Sequence, residues 1–106
     1  MILRIAIFSI LSLIILSCTK KLDLRVIENN DIKIEQYEIS EITTSHDFID
    51  VTNKRWDKTE RIFEANGGSI DSVFIRHDSI IIQTSINAFM YDLAALKFGY
   101  KIIVKR

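Results

Sequence analysis

Both histidines of the chain stand immediately before an aspartate, as His46-Asp47 and His77-Asp78. An imidazole held by a carboxylate can relay a proton, and two imidazoles with a carboxylate can complete a three-ligand zinc site. In an extended chain neighbouring side chains point to opposite faces, so neither dipeptide is a relay by itself. A zinc site would require His46 and His77 to converge with Asp50 or Asp78, and their separation of 31 residues matches no metal signature. The stretches Thr43 to Asp47 and Arg76 to Ser79 are polar, and their Asp and Ser side chains suit a loop and a hairpin turn. Structural roles are therefore expected for both histidines, with no catalytic residue, no metal and no cofactor. Trp56, the single tryptophan, lies among Lys54, Arg55, Lys58 and Arg61. An aromatic plate among cations can stack on a sugar or a headgroup, which makes Trp56 the candidate for ligand binding. Asp57 and Glu60 interleave with those cations, a pattern that also suits a half-buried tryptophan with a solvated rim. No glycine-rich phosphate loop, serine elbow or carboxylate pair at diagnostic spacing accompanies these residues.

Cys18 is the only thiol. It follows an uncharged run of thirteen residues, Ile5 to Ser17, itself preceded by Arg4. Spanning a bilayer takes about 20 apolar residues, so the run is too short to anchor by crossing. A cation, an apolar stretch and a small residue, Ser17, in that order have the form of an export signal cut before Cys18. Ile15-Leu16-Ser17-Cys18 resembles the lipobox of bacterial lipoproteins, with Leu16 where the commonest pattern has a small residue. The resemblance covers the first eighteen residues alone. It implies removal of residues 1–17, a diacylglyceryl thioether on Cys18, and a tether, residues 18–21, holding a domain of residues 22–106 to a membrane in the cell envelope, the outer membrane in a diderm bacterium. One acyl chain binds a bilayer reversibly, whereas two hold firmly.

Composition narrows the classes left for the domain. Fourteen Lys and Arg balance fourteen Asp and Glu, so nothing demands nucleic acid, whose binding calls for a basic face. With Cys18 lipidated no thiol remains for a disulfide or a cysteine nucleophile. Proline is absent and only three glycines break the chain, while 21 isoleucines favour pleated strands.

Period-two alternation marks the elements that must carry these residues. Leu22, Leu24 and Val26 lead through Asn29-Asn30-Asp31 to Ile32 and Ile34, a first hairpin. The apolar parity then shifts to Tyr37 and Ile39, which predicts a β-bulge near Gln36. Val73 and Ile75 turn at Arg76 to Ser79 into Ile80 to Ile82, and Tyr100, Ile102 and Val104 line one face of a last strand. Residues 59 to 65 read as a strand, although Trp56, Thr59, Ile62 and Phe63 also suit a helix over 53–65. Ile86, Phe89, Met90, Leu93 and Leu96 recur at helical spacing, with Gly99 positioned to end a helix near 86–97. The expected fold is mainly β, a small antiparallel sheet of about six strands with that one helix. A two-layer α+β arrangement is the alternative if 53–65 is helical.

Two functional classes follow. The first is a membrane-anchored lipoprotein displaying a non-catalytic binding or assembly domain, with the membrane as one partner and a protein as a possible second. The other is a metal-dependent enzyme or factor built on His46 and His77. An inhibitor or immunity-type lipoprotein also fits the size.

Overall fold

The computed structural model describes residues 20–106, and within them the chain is mainly β, with nine strands and no helix. The signal segment, Ser17 and Cys18 lie outside the described residues. The strands are β1 (Lys20–Glu28), β2 (Ile32–Ser40), β3 (Ser45–Asn53), β4 (Lys58–Asn66), β5 (Ile70–Arg76), β6 (Ser79–Thr84), β7 (Met90–Leu93), β8 (Leu96–Lys97) and β9 (Tyr100–Lys105). They form a five-stranded sheet in the order β1-β2-β3-β4-β7 and a four-stranded sheet in the order β5-β6-β9-β8. Lys20 and Lys21 are already part of the first strand, so the segment outside the sheet is shorter than the tether expected from the sequence.

Alternation builds the core. Ile32 and Ile34 of β2, Ile49 and Val51 of β3 and Phe63 and Ala65 of β4 meet Val73, Ile80, Ile82 and Ile102 from the second sheet in one cluster. β6 is paired on both sides, and Ile80, Ile81 and Ile82 are all buried. Ile80 and Ile82 face the shared core, whereas Ile81 on the other face lies between its register partners Phe74 and Ile103, which are themselves exposed.

Both hairpins expected from the sequence form, β1 with β2 and β5 with β6. The parity change at Gln36 does mark a bulge, but the neighbour supplies the extra residue: Asp23 pairs with Tyr37 and Arg25 with Gln36, leaving Leu24 of β1 unmatched. Residues 58–66 are a strand, with Ile62 as the extra residue opposite the Ile49–Asp50 step.

The single sheet of about six strands expected from the sequence is instead nine strands in two sheets, and three further expectations are overturned. No helix forms at 86–97, because β4 has an open edge whose backbone groups need partners. Asn66 donates to the Phe89 carbonyl and Ala94 to that of Ile62, so the segment serves as β7, and Ile86, Phe89, Leu93 and Leu96 stay exposed. The fold is not wholly antiparallel, since β9 runs parallel to β6. Such a pair needs a connection of a dozen or more residues, and 85–99 provides it. Thr43 to Asp47 is not a loop throughout, because β3 begins at Ser45 and buries Asp47 at 1% exposure.

The strand directions give the molecule two poles. At the first lie the start of β1, the β2–β3 turn (41–44), the β4–β5 turn (67–69), residues 85–89 and the end of β9. At the second lie the β1–β2 turn (29–31), the β3–β4 turn (54–57), the β5–β6 turn (77–78) and the β8–β9 turn (98–99). Gly67 closes the first pole, because a Cβ there would meet Ser45 Oγ at 1.9 Å.

Candidate functional site

Asn29 organises the second pole. Its Oδ1 accepts the backbone N–H groups of Asp31 and Ile32, both at 2.8 Å, closing an Asx turn that leads into β2. Its Nδ2 donates to the Tyr100 hydroxyl at 3.0 Å, drawing the start of β9 to the same place. Lys54 Nζ donates to the Asn29 carbonyl at 2.6 Å and pairs with Glu28 at 2.8 Å, which latches the β3–β4 turn onto the β1–β2 turn. That hydrogen bond from Lys54, with its charge, lowers the Glu28 carboxyl below its ordinary range. Asn53 Oδ1 accepts the Trp56 backbone N–H at 3.1 Å, and Asp57 closes the turn with φ of 50°.

The loops fastened in this way enclose a cleft of about 410 Å³, lined by Asn30, Asp31, Asn53, Lys54, Arg55, Trp56, Phe98 and Tyr100. Trp56 is 70% exposed, with the Arg55 guanidinium 5.2 Å from its ring centroid. The core or half-buried tryptophan that the interleaved charges favour is therefore not what forms. Phe98 and Tyr100 pack against the core and make the cleft floor firm. Phe98 and Gly99 turn with φ of 53° and 81°, the two left-handed residues of a tight hairpin between Lys97 and Tyr100. An open indole beside a guanidinium, ringed by amides and a carboxylate, can stack on a flat or ring-shaped ligand and hydrogen-bond its edge.

His46 and His77 are not brought together. His46 lies on β3 beside the first pole, where its ring stacks on Tyr91 with centroids 4.7 Å apart and its Nδ1 stands 2.9 Å from Glu64 Oε2. His77 occupies the β5–β6 turn at the opposite pole, with φ of 55°. β5 starts beside Ser69, whose N–H donates to Asp47, and its seven residues then carry the chain about 20 Å away. Zinc cannot bridge that span with nitrogen ligands at about 2.0–2.1 Å. Among the described residues no group of three or more His, Cys, Asp or Glu side chains is placed to hold a metal. Asp50 instead accepts the Tyr37 hydroxyl at 2.9 Å and faces Arg61 at 3.7 Å, while Asp78 receives the Ser79 hydroxyl in its turn.

This Asp50–Arg61 pair belongs to a network that the sequence did not announce, on the outer face of the five-stranded sheet. Tyr37 stacks on Phe48 at 5.3 Å, and the Arg61 guanidinium lies over the Phe48 ring at 4.1 Å while donating to the Tyr37 hydroxyl. Burial pushes the Tyr37 phenol above its ordinary value, against the Arg61 hydrogen bond. The parity change to Tyr37 and Ile39 was the one sequence signal that this face is occupied. No family model matches the chain, and neither a curated protein nor a solved structure shows significant similarity to it.

Proposed function

We propose that the protein is a lipid-anchored, non-catalytic binding module whose Trp56 cleft is displayed away from the membrane. The observation that carries the reading is the position of the cleft at the far end of β1 from Lys20, which follows Cys18 by two residues in the sequence. Nine residues of strand separate the two ends by about 27 Å. A lipid on Cys18 would therefore hold the first pole down and leave the second facing outward.

The cleft suits a saccharide bearing an acidic group. The indole offers a face for the C–H side of a sugar ring, Arg55 a charge for a carboxylate or phosphate, and Asn30 and Asn53 donors and acceptors for hydroxyls. Because Trp56 is the only tryptophan, indole emission excited beyond the absorption of the three tyrosines reads this site alone. Titration with uronic-acid or phosphorylated oligosaccharides is expected to shift the emission saturably, and neutral oligosaccharides to act more weakly. Trp56→Phe abolishes that optical signal, so Trp56→Ala and Arg55→Ala are scored by calorimetry, where each should weaken binding. Unchanged affinity in both variants would remove the cleft from the proposal.

A further inference from the structure

Exposed apolar side chains occur along several strands, as at Val26, Leu93 and Leu96, and the most exposed apart from Trp56 gather at one end. Ile42 in the β2–β3 turn is 83% exposed, Ile86 in the segment after β6 is 80% exposed, and Phe89 just before β7 is 64% exposed. Leu22 near the start of β1 adds a fourth at 57%. These residues come from separate segments, yet all lie toward the first pole. Asn66, at the end of β4, exchanges hydrogen bonds with Phe89, and Ser85 donates to Ser69 in the β4–β5 turn. The sheet from β1 to β7 crosses about 19 Å at about 4.8 Å per strand, so the apolar tips span its whole end. Lys20, Lys21, Lys105 and Arg106 are exposed at the same pole, with Asp23, Glu41, Asp71 and Asp92 as exposed acids nearby.

The place of Cys18 in the sequence, just ahead of β1, is the argument for what covers this surface. Only Thr19 separates Cys18 from β1, and two residue steps reach at most about 7 Å. A lipid on Cys18 cannot hold the domain at arm's length. We infer that the first pole is itself a membrane-docking surface: Ile42, Ile86 and Phe89 enter the interface of a bilayer, and Lys20, Lys105 and Arg106 meet anionic headgroups around them. Side chains seated in this way lie about 5–10 Å into the headgroup and acyl boundary. The inference rests on the anchor reading proposed above, and it adds a fixed orientation: lipid and protein together hold the domain upright, with the Trp56 cleft outermost.

The test uses the full chain, made with its own N-terminal segment, purified from bacterial membranes and returned to phosphatidylethanolamine–phosphatidylglycerol vesicles with or without acyl-brominated lipid. The mass of the N-terminal peptide reports lipid on Cys18. Ile42→Trp and Phe89→Trp, each combined with Trp56→Phe, place a single indole at the first pole, while the wild-type protein carries its own at the second. Brominated lipid is expected to quench the first-pole indoles several-fold more than Trp56. Equal, weak quenching at both poles in protein that carries the lipid would overturn the docking surface while leaving the anchor intact. An unmodified Cys18 in protein that leaves the vesicles would overturn the anchor reading and the docking surface with it. Blue-shifted but unquenched first-pole indoles, with chemical cross-links between protomers, would give the surface to a second copy of the chain and also overturn the inference. Circular dichroism of each variant against the wild type confirms that the substitutions at these exposed sites leave the sheets in place.

Discussion

The two faces of the five-stranded sheet solve different problems with the same three central strands. Toward the second sheet, β2, β3 and β4 present Ile32, Ile34, Ile49, Val51 and Phe63, none of them more than 1% exposed. On the outer face the same strands carry Tyr37, Phe48, Asp50, Arg61, Glu64 and His46, joined by stacking, a guanidinium over an aromatic ring and charged hydrogen bonds. Area removed from water is non-directional and large, whereas partly exposed polar pairs are worth little each. Stability should therefore reside in the inner face, and the outer face should contribute fixed geometry at small energetic cost or gain.

The largest effects test the inner face. Phe63→Ala and Ile80→Ala each leave a cavity in a core shared by both sheets, at positions of 0% exposure. Losses of about 3–5 and 2–5 kcal/mol respectively are expected in chemical denaturation. A loss below about 1 kcal/mol for either would mean that the two sheets are not one cooperative core, since surface-like values belong to exposed positions.

Asp47 is the buried carboxylate on that inner face, which also holds the buried amide of Gln36. It is buried, its Oδ2 accepts the Ser69 N–H at 3.1 Å, and its Oδ1 has no partner among the described residues. Burial first, and the neighbouring Glu38 charge second, raise its carboxyl above the ordinary 3.8. Between 3.8 and that raised value the folded protein binds more protons than the unfolded chain, so this group makes stability fall as pH rises through the window. Asp47→Asn removes the ionisation and retains an acceptor for Ser69. A higher melting temperature than the wild type is expected at pH 7, with the advantage shrinking on acidification below the window. A variant that melts lower at both pH values would show that the charge is compensated in the fold.

The same contrast explains what could be read from the sequence. Local signals were legible: alternation located β1, β2, β5, β6 and β9, and the Asn29 and His77 turns, because each depends on neighbours within a few residues. The basic residues around Trp56 are legible too, but its exposure is not, because the interleaved Asp57 and Glu60 favour a core or half-buried indole. The cleft around it was not, since Phe98 and Tyr100 reach it only through β9, and β9 lies beside β6 through a parallel pairing that no nearby residue announces. Residues 86–97 have helical spacing, and what overrides it is the open edge of β4, whose paired residues lie 25 to 30 positions back in the chain. The outer-face network needed the register, which sets Tyr37 opposite Phe48 and, past the unmatched Ile62, Asp50 opposite Arg61.

The outer face is tested next by His46. As a strand residue bonded to Glu64 and stacked on Tyr91, it should be worth more than a loop histidine. A stacked aromatic pair contributes about 0.5–1.5 kcal/mol, and partial exposure discounts the polar bond, so His46→Ala should cost about 1 kcal/mol. A value near those of the core substitutions would mean that the outer network, rather than the interior, bears on stability.

The smallest effect belongs to His77. Its imidazole is exposed in the β5–β6 turn, far from His46, and its left-handed φ of 55° is a conformation that glycine adopts without strain. His77→Ala keeps a Cβ in that conformation and should change stability by no more than about 0.5 kcal/mol. His77→Gly removes the Cβ, so the relief of turn strain opposes the added freedom of the unfolded chain. The glycine variant should therefore be at least as stable as the alanine variant. Zinc titration of both variants should match the wild type, because His77 shares no ligand set with His46. The reverse stability order, or a zinc affinity lost with His77, would assign this imidazole a contact beyond its turn.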